Sequence, residues 1–250
     1  MAAGPGLWPR APGSPLRALR SAGNYPHLVA EQFGLDLVDV TYSGATTANV
    51  LSQPQNGAPP QVAALDGTEE VVTITIGGND VGYVPLLSAA TVPAALRRLP
   101  AIGPRFAGLL DPVARQLALD QVGSLLLAVG ETVRDRAPRA RILFVDYLTL
   151  LPPPGVPAPP MDSAVADLAR RLATGLALAT AAAAAATGCE LVAASTASAD
   201  HHAWSTVPWT TGAGSVAGAL LNRRPLPFHP NAAGMAAVAD LVIHRISQLP

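Results

Sequence analysis

Short apolar stretches rich in β-branched residues alternate along this chain with longer stretches of helical period. The short stretches predict strands over residues 35–42, 71–76, 141–147 and 190–194. The longer ones predict helices over residues 25–33, from Pro112 onward, over 162–186 and over 230–248, with a short helix after residue 47. Strands that alternate with helices form a parallel sheet covered on both faces. The pattern therefore predicts an α/β fold.

Four intervening segments show neither the helical nor the strand period of apolar residues, which predicts loops. They cover residues 1–23, the proline-punctuated stretch 85–104, the proline-rich stretch 151–160 and the long stretch 195–228. A doubly wound domain usually begins with a strand near the centre of its sheet, whereas this chain begins with a loop that feeds a helix. We therefore expect the first, central strand to precede residue 1.

Composition and charge narrow the classes of function. Half of the 250 residues are apolar, which supports one domain over residues 1–250. The formal net charge of −1 gives no electrostatic case for nucleic acid or an anionic membrane as a partner. No apolar stretch is a convincing membrane span, so a soluble protein is expected. The sequence makes no prediction of its oligomeric state.

The single cysteine and the paired histidines do not predict a metal site. Cys189 enters a predicted strand, so we expect a small buried side chain, and the low cysteine count favours a cytoplasmic location. The histidines of Asp200–His202 point in different directions and no third ligand accompanies them, which favours a polar loop. Trp204 and Trp209, in the same segment, either wall a pocket or anchor the loop.

Polar groups follow two of the predicted strands and precede the last helix. The second strand stops at Gly77–Gly78, which Asn79 and Asp80 follow. Gly44 comes after the first strand, and His229 stands just before the last helix. Because the carboxyl ends of parallel strands meet at one edge of a sheet, these groups should converge on one site. Asp80 is expected to cap a helix and not to act as a catalytic acid.

Three blocks of the sequence resemble those of a known family. Ser43–Asn49, Ile76–Asp80 and Phe228–Gly234 look like blocks II, III and V of the SGNH (GDSL-type) serine hydrolases, and the match runs from residue 1 to about residue 245. The spacing is similar to that of the bacterial secreted-esterase-like branch. The resemblance implies a flavodoxin-like three-layer α/β/α sandwich around a five-stranded parallel sheet. It also implies hydrolysis of small-molecule carboxylic esters by a serine, as in esterases and lipases, without a cofactor.

The same resemblance assigns roles to three residues. It implies that Gly44 gives its backbone N–H, and Asn79 its side-chain amide, to an oxyanion hole, and that His229 is the general base. Many relatives place an Asp three residues before this histidine, where the present chain has Leu226. A leucine side chain cannot accept a proton, so we expect the backbone carbonyl of Leu226 to orient the imidazole.

The nucleophile of block I has no counterpart in the residues that match. The family carries it in a Gly-Asp-Ser-like turn after the first strand, and Met1–Gly6 looks like the tail of that turn. Three nearby serines lie elsewhere in the pattern. They are Ser14, Ser21 and Ser43. The serine is therefore expected immediately upstream of Met1, residues 1–23 are the remnant of block I, and residues 1–250 alone are expected to be inactive.

Two alternatives stay open. If the chain is not an ester hydrolase, it is either a non-catalytic relative that binds esters or glycans, or an acetyl-transferring enzyme that uses the same site. Loss of a central strand argues against the first alternative, because each buried backbone group left unpaired in its neighbours costs about 1–3 kcal/mol. The total stability of a folded protein is only about 5–15 kcal/mol.

Overall fold

Three parallel strands form a sheet in the computed structural model, which describes residues 1–101 and 103–248. The strands are β1 (Val71–Ile74), β2 (Arg141–Val145) and β3 (Glu190–Val192), in that spatial order. Ile74 pairs with Phe144, and Val145 pairs with Val192. The prediction of a parallel α/β fold is confirmed, although each of these strands ends two residues earlier than the sequence pattern predicts.

Ten helices surround the sheet within the described residues. They are α1 (Tyr25–Phe33), α2 (Thr47–Leu51), α3 (Tyr83–Ala90), α4 (Ala94–Arg97), α5 (Gly103–Leu110), α6 (Pro112–Arg136), α7 (Ser163–Ala186), α8 (Ala194–Ala197), α9 (Val216–Leu221) and α10 (Ala232–Ser247). Two single turns of 3₁₀-helix, Leu16–Ala18 and Gln61–Ala64, interrupt the loops. None of the described helices is long and apolar enough to cross a membrane.

Alternate side chains of β2 enter two different apolar layers. Ile142 and Phe144 join a cluster with α6 and α7, whereas Leu143 and Val145 join a second cluster with α1 and α10. Successive residues of a strand point to opposite faces, so the sheet lies between two helical layers. Cys189, which was expected to be buried, is only half-buried beside the first cluster, because it lies just before β3 at the open end of the strand.

Side-chain caps determine where two of the predicted helices begin. The Asn24 side-chain oxygen accepts the His27 backbone N–H at 3.1 Å, and α1 ends at Gly34 with a φ of 64°. The Asp111 carboxylate accepts the Val113 backbone N–H at 2.9 Å and caps α6. Both helices begin where the sequence predicts, because these short polar side chains satisfy N–H groups that the helix itself leaves free.

Two segments predicted as loops contain helices. The stretch 85–104, in which Ile102 lies outside the described residues, belongs largely to α3, α4 and α5, and the stretch 195–228 contains α9 and most of α8. Three prolines of the first stretch lie in the first turn of a helix or at its N-cap. They are Pro85, Pro93 and Pro104. The backbone N–H groups at the start of a helix have no partner inside it, so a proline, which has no N–H, does not interrupt the helix there.

Residues 35–42 do not form a strand, contrary to the sequence prediction. The backbone groups of residues 36–40 form no hydrogen bond with another backbone group of the described chain, and Val38 is 72% exposed. A cavity of about 850 Å³ is lined by both residues 35–43 and residues 71–76. A strand is held by hydrogen bonds to its neighbour, and on this side of β1 no neighbour is within reach. The described sheet therefore has three strands, not the five that the resemblance implies.

Candidate active site

One cavity of about 850 Å³ runs along β1 to the carboxyl end of the sheet, and all three predicted site residues line it. Gly44 follows the segment 35–42, Asn79 comes after β1, and His229 precedes α10. Met1 lines the same cavity. The structure thus places three residues that are far apart in the sequence along the wall of one cavity.

Gly44 presents a backbone N–H that is free to bind a further group. Its φ is 78°, in the left-handed region that favours glycine. The N–H groups on either side are occupied, since Ser43 donates to the Ala18 carbonyl at 3.0 Å and Ala45 donates to the Tyr42 carbonyl at 3.2 Å. The Gly44 N–H has no acceptor among the described residues. The cavity wall therefore contains a backbone donor available to a bound molecule.

The Asn79 side chain is held by one of its two N–H groups. Nδ2 donates to the Ala45 carbonyl at 2.8 Å, and this is the only hydrogen bond of the carboxamide within the described residues. A primary amide has two donors on its nitrogen, so one N–H anchors the side chain while the other is unused. The anchor also connects the loop after β1 to the turn that contains Gly44.

Asp80 strengthens the same connection. Its carboxylate accepts the Thr47 backbone N–H at 3.1 Å and the Thr47 hydroxyl at 2.6 Å. Thr47 is the first residue of α2, where backbone N–H groups have no partner inside the helix. Asp80 is therefore not the N-cap of the helix that follows it, which is Gly82, but its carboxylate accepts hydrogen bonds at the first residue of α2.

Tyr147 also lines the cavity, although no motif points to it. Its hydroxyl accepts the Gly78 backbone N–H at 3.1 Å. A Cβ atom at Gly78 would lie 2.7 Å from Cζ of Tyr147, so the tyrosine requires glycine at this position. Burial raises the pKa of Tyr147, which keeps its hydroxyl protonated at neutral pH. The one signal in the sequence is its place at the end of the predicted strand 141–147.

A backbone carbonyl orients the His229 imidazole, but it is not the carbonyl of Leu226 that was expected. Nδ1 of His229 lies 2.8 Å from the Pro227 carbonyl oxygen. The Leu226 carbonyl instead accepts the His229 backbone N–H and the Thr211 hydroxyl. Phe228, with a φ of 59°, turns the chain so that the ring returns towards Pro227. Since a carbonyl only accepts, Nδ1 carries the proton and Nε2 keeps its lone pair.

Burial of the ring lowers the pKa of His229 to about 4. The hydrogen bond to Pro227 acts in the opposite direction, since it favours the charged ring. The imidazole is therefore neutral at pH 7, and a neutral ring is the form that can accept a proton.

The protein is expected to lose stability as the pH falls from 6.5 to about 4, in part through His229. In this range the unfolded chain binds a proton on His229 and the folded chain does not, so acid favours unfolding. Urea unfolding at several pH values across the range measures the effect. The His229→Gln variant should lose less unfolding free energy on acidification than the wild type, whereas a change at the exposed His244, His244→Gln, should preserve the full loss. Equal acid sensitivity of the wild type and His229→Gln would show that the ring is not shielded.

The paired histidines shape a loop. The His201 ring stacks on Trp209 with centroids 4.0 Å apart, and its Nδ1 lies 2.8 Å from the Val207 carbonyl oxygen. Nδ1 of His202 accepts the Trp204 backbone N–H at 3.2 Å. The described ranges contain no group of three side chains that could hold a metal ion. Both tryptophans pack against the apolar clusters and are not among the residues that line the cavity, so they anchor the loop.

Comparison with known proteins places the chain in a family. Residues 2–237 match the model of the GDSL-like lipase/acylhydrolase family. The chain is similar to lipase 2 of Streptomyces coelicolor, with 45% identity over 78 residues, which are 31% of this chain and only 26% of that protein. Its fold is similar to those of phospholipase A1 from Streptomyces albidoflavus NA297 and an extracellular lipase from Streptomyces rimosus. Their TM-scores are 0.77 and 0.76, each at 21% identity over 99% of this chain and 95% of the other. Since the family model spans nearly the whole sequence, the protein belongs to the GDSL-like lipase/acylhydrolase family, within the SGNH hydrolases.

Proposed function

We propose that the protein hydrolyses carboxylic esters through a serine, with Gly44 and Asn79 as oxyanion donors and His229 as general base. One observation carries the proposal: a single cavity is lined by all three residues, and each has a group unused among the described residues. These groups are the Gly44 N–H, one Asn79 N–H and Nε2 of His229. Two donors and a base around a common space are what acyl transfer requires. The lipases and the phospholipase among the similar proteins support the ester bond as the target.

In the proposed reaction the ester carbonyl oxygen becomes an oxyanion between Gly44 and Asn79. Both donors are held before a substrate arrives, Gly44 by its left-handed turn and Asn79 by its anchor on Ala45. Donors that are fixed in advance need no reorganisation when the charge develops. Each such donor contributes about 2.7–4 kcal/mol to stabilisation of the transition state.

His229 transfers the protons of the proposed reaction. Nε2 takes the hydroxyl proton of the serine while its oxygen bonds to the carbonyl carbon, and the imidazolium then gives this proton to the alcohol oxygen as the ester bond breaks. Water repeats the two steps on the acyl-serine and releases the acid. The Pro227 carbonyl keeps the proton on Nδ1, so Nε2 is the basic nitrogen. A neutral carbonyl stabilises the imidazolium less than a carboxylate would, which leaves His229 a weaker base.

We infer that a further β-strand fills the part of this cavity that lies between residues 35–42 and β1, a space we call the strand seat, and leaves the part lined by Gly44, Asn79 and His229 to the substrate. On one side of it, the backbone groups of residues 36–40 have no backbone partner among the described residues. On the other side, β1 pairs only with β2. Neighbouring strands lie about 4.8 Å apart, so a chain between two such segments can hydrogen-bond to both. A parallel strand there would restore the segment 35–42 to the sheet.

The position of Met1 relates the strand seat to the serine. Met1 and His229 line the same cavity. A residue that preceded Met1 would therefore lie close to the cavity that His229 lines. Among the described residues, no hydroxyl group hydrogen-bonds to the ring, and Pro227 supplies its one partner. We propose that the nucleophilic serine occupies this place, at the end of the strand.

The Asn79→Ala variant tests the oxyanion hole. It is made in an extended chain, in which a strand of about six apolar residues followed by Gly-Asp-Ser precedes Met1. Loss of the amide donor should lower kcat for p-nitrophenyl acetate by about 10²–10³-fold, because the carbonyl charge loses one of two fixed donors. The matched control is Asn222→Ala, whose exposed amide bonds only to the Gly218 carbonyl within the described residues. An unchanged kcat for Asn79→Ala would reject the assigned role.

A further inference from the structure

An exposed apolar surface lies on α9 and the loop beside it. Leu221 is 86% exposed, and Trp8 of the N-terminal loop is 56% exposed. We call this region the α9 surface. Its members are Trp8, Val216, Leu220, Leu221, Arg223 and Arg224. The guanidinium carbon of Arg223 lies 4.5 Å from the centre of the Trp8 ring, so the helix end and the N-terminal loop form one continuous surface.

The α9 surface adjoins the candidate active site. The Leu226 backbone N–H donates to the Pro5 carbonyl at 3.0 Å, which joins the chain after α9 to the N-terminal loop. Pro5 lines the cavity together with Met1, and Leu226 stands three residues before His229. A large body bound to the α9 surface would therefore sit beside the rim of the cavity.

The two segments that build the α9 surface contain no acidic residue. All 17 Asp and Glu residues of the chain lie outside residues 1–30 and 201–239. The same two segments carry five arginines. They are Arg10, Arg17, Arg20, Arg223 and Arg224. The net charge of −1 for the whole chain conceals this separation along the sequence. Arg20 pairs with Asp39, whereas Arg223 and Arg224 are exposed and form no salt bridge among the described residues, so they supply the positive charge of the α9 surface.

We propose that the α9 surface docks the protein onto an anionic lipid bilayer. Exposed leucines enter the boundary between headgroups and acyl chains, tryptophan favours the same depth, and arginines bind lipid phosphates above it. The α9 surface combines all three and has no nearby acidic residue along its own segments to repel phosphate. Docking requires no serine, whereas its use to bring lipid esters to the cavity rests on the proposed ester hydrolysis.

A second copy of the chain fits the same surface less well. The commonest symmetric contact between two copies sets a patch against itself. Here that contact would bring Arg223 and Arg224 of one copy against the same residues of the other, with no carboxylate in residues 201–239 to neutralise them. Like charges face to face oppose association, while an anionic bilayer supplies the complementary sign.

Vesicle co-sedimentation of residues 1–250 tests the proposal, and no activity is needed. Vesicles of equal phosphatidylglycerol and phosphatidylcholine should bind the protein at least about tenfold more tightly than pure phosphatidylcholine, and added salt should reduce the difference. Arg223→Gln with Arg224→Gln should weaken binding about 25-fold, since each basic residue contributes about fivefold at low salt. Leu220→Ser with Leu221→Ser should weaken it about tenfold. Vesicles should also shift Trp8 fluorescence to the blue, a shift that Trp8→Phe removes.

A matched exposed leucine supplies the control. Leu178 on α7 is 67% exposed, and Leu178→Ser should leave vesicle binding unchanged. Circular dichroism confirms that each variant is folded. Absence of binding, binding that ignores the phosphatidylglycerol content, or equal loss in Leu178→Ser would overturn the proposal. Sedimentation velocity without lipid tests whether a second copy of the chain occupies the α9 surface. If the protein is a dimer, and Leu220→Ser with Leu221→Ser dissociates it, the α9 surface is a self-association face and the lipid proposal is overturned.

Discussion

The extended chain is expected to hydrolyse p-nitrophenyl acetate, while residues 1–250 alone are expected to leave it intact. The donors and the base line the cavity, but no described hydroxyl group hydrogen-bonds to the His229 ring. A strand that ends in Gly-Asp-Ser before Met1 supplies that hydroxyl at the position next to the imidazole. Release of p-nitrophenol at pH 7, followed by absorbance, measures the gain. The effect is the largest expected for the protein, because the chain without a nucleophile has no route to an acyl intermediate.

Two controls separate the strand from the chemistry. An extended chain with Ala in place of the added serine should fill the strand seat and show no turnover. Hydrogen exchange then reports on the strand, since amides of residues 36–40 and β1 should exchange more slowly in both extended chains than in residues 1–250. Slower exchange without turnover would keep the strand and reject the serine position. Unchanged exchange would show that no strand fills the strand seat. Turnover by residues 1–250 would show that these residues already contain a nucleophile.

His229→Ala is expected to lower kcat of the extended chain by about 10⁴-fold or more. Without Nε2, no group removes the serine proton or protonates the leaving alcohol. General base catalysis and activation of the nucleophile are therefore lost together. Steady-state hydrolysis of p-nitrophenyl acetate measures kcat and KM separately. KM should change little, because the imidazole acts on the transition state more than on the bound ester.

His244→Ala is the matched control, since this histidine lies on α10, the helix that follows His229, and is exposed near the carboxyl end of that helix. It should keep the kcat of the parent. If His229→Ala retains turnover within about tenfold of the parent, another group takes the serine proton and the assignment of the base is wrong.

Much of the fold can be predicted from local patterns of apolar and polar residues, because tertiary contacts do not change the secondary structure that these patterns favour. The β-branched stretches at 71–76, 141–147 and 190–194 become strands because their apolar side chains pack into the two apolar clusters on either side of the sheet. Gly44, Asn79 and His229 line one cavity, as the order of elements predicts, although only Asn79 follows a strand of the described sheet.

Other features depend on contacts that no local pattern specifies. Residues 35–42 have the composition of a strand, yet a strand also needs a partner, and the neighbouring space is a cavity. The contact of Tyr147 with Gly78 joins positions 69 residues apart. The choice of Pro227 over Leu226 as partner of His229 follows from the left-handed turn at Phe228, which is unusual for a bulky aromatic residue.

The open space beside β1 also affects how readily the folded protein associates with other chains. Leu37 and Val38 are exposed next to unpaired backbone groups, and the outer edge of β1 is uncovered in the described chain. An uncovered, apolar sheet edge is a template for foreign strands, and natural proteins protect such edges because they seed aggregation. The strand proposed for the strand seat would thus also protect this edge from pairing with other chains.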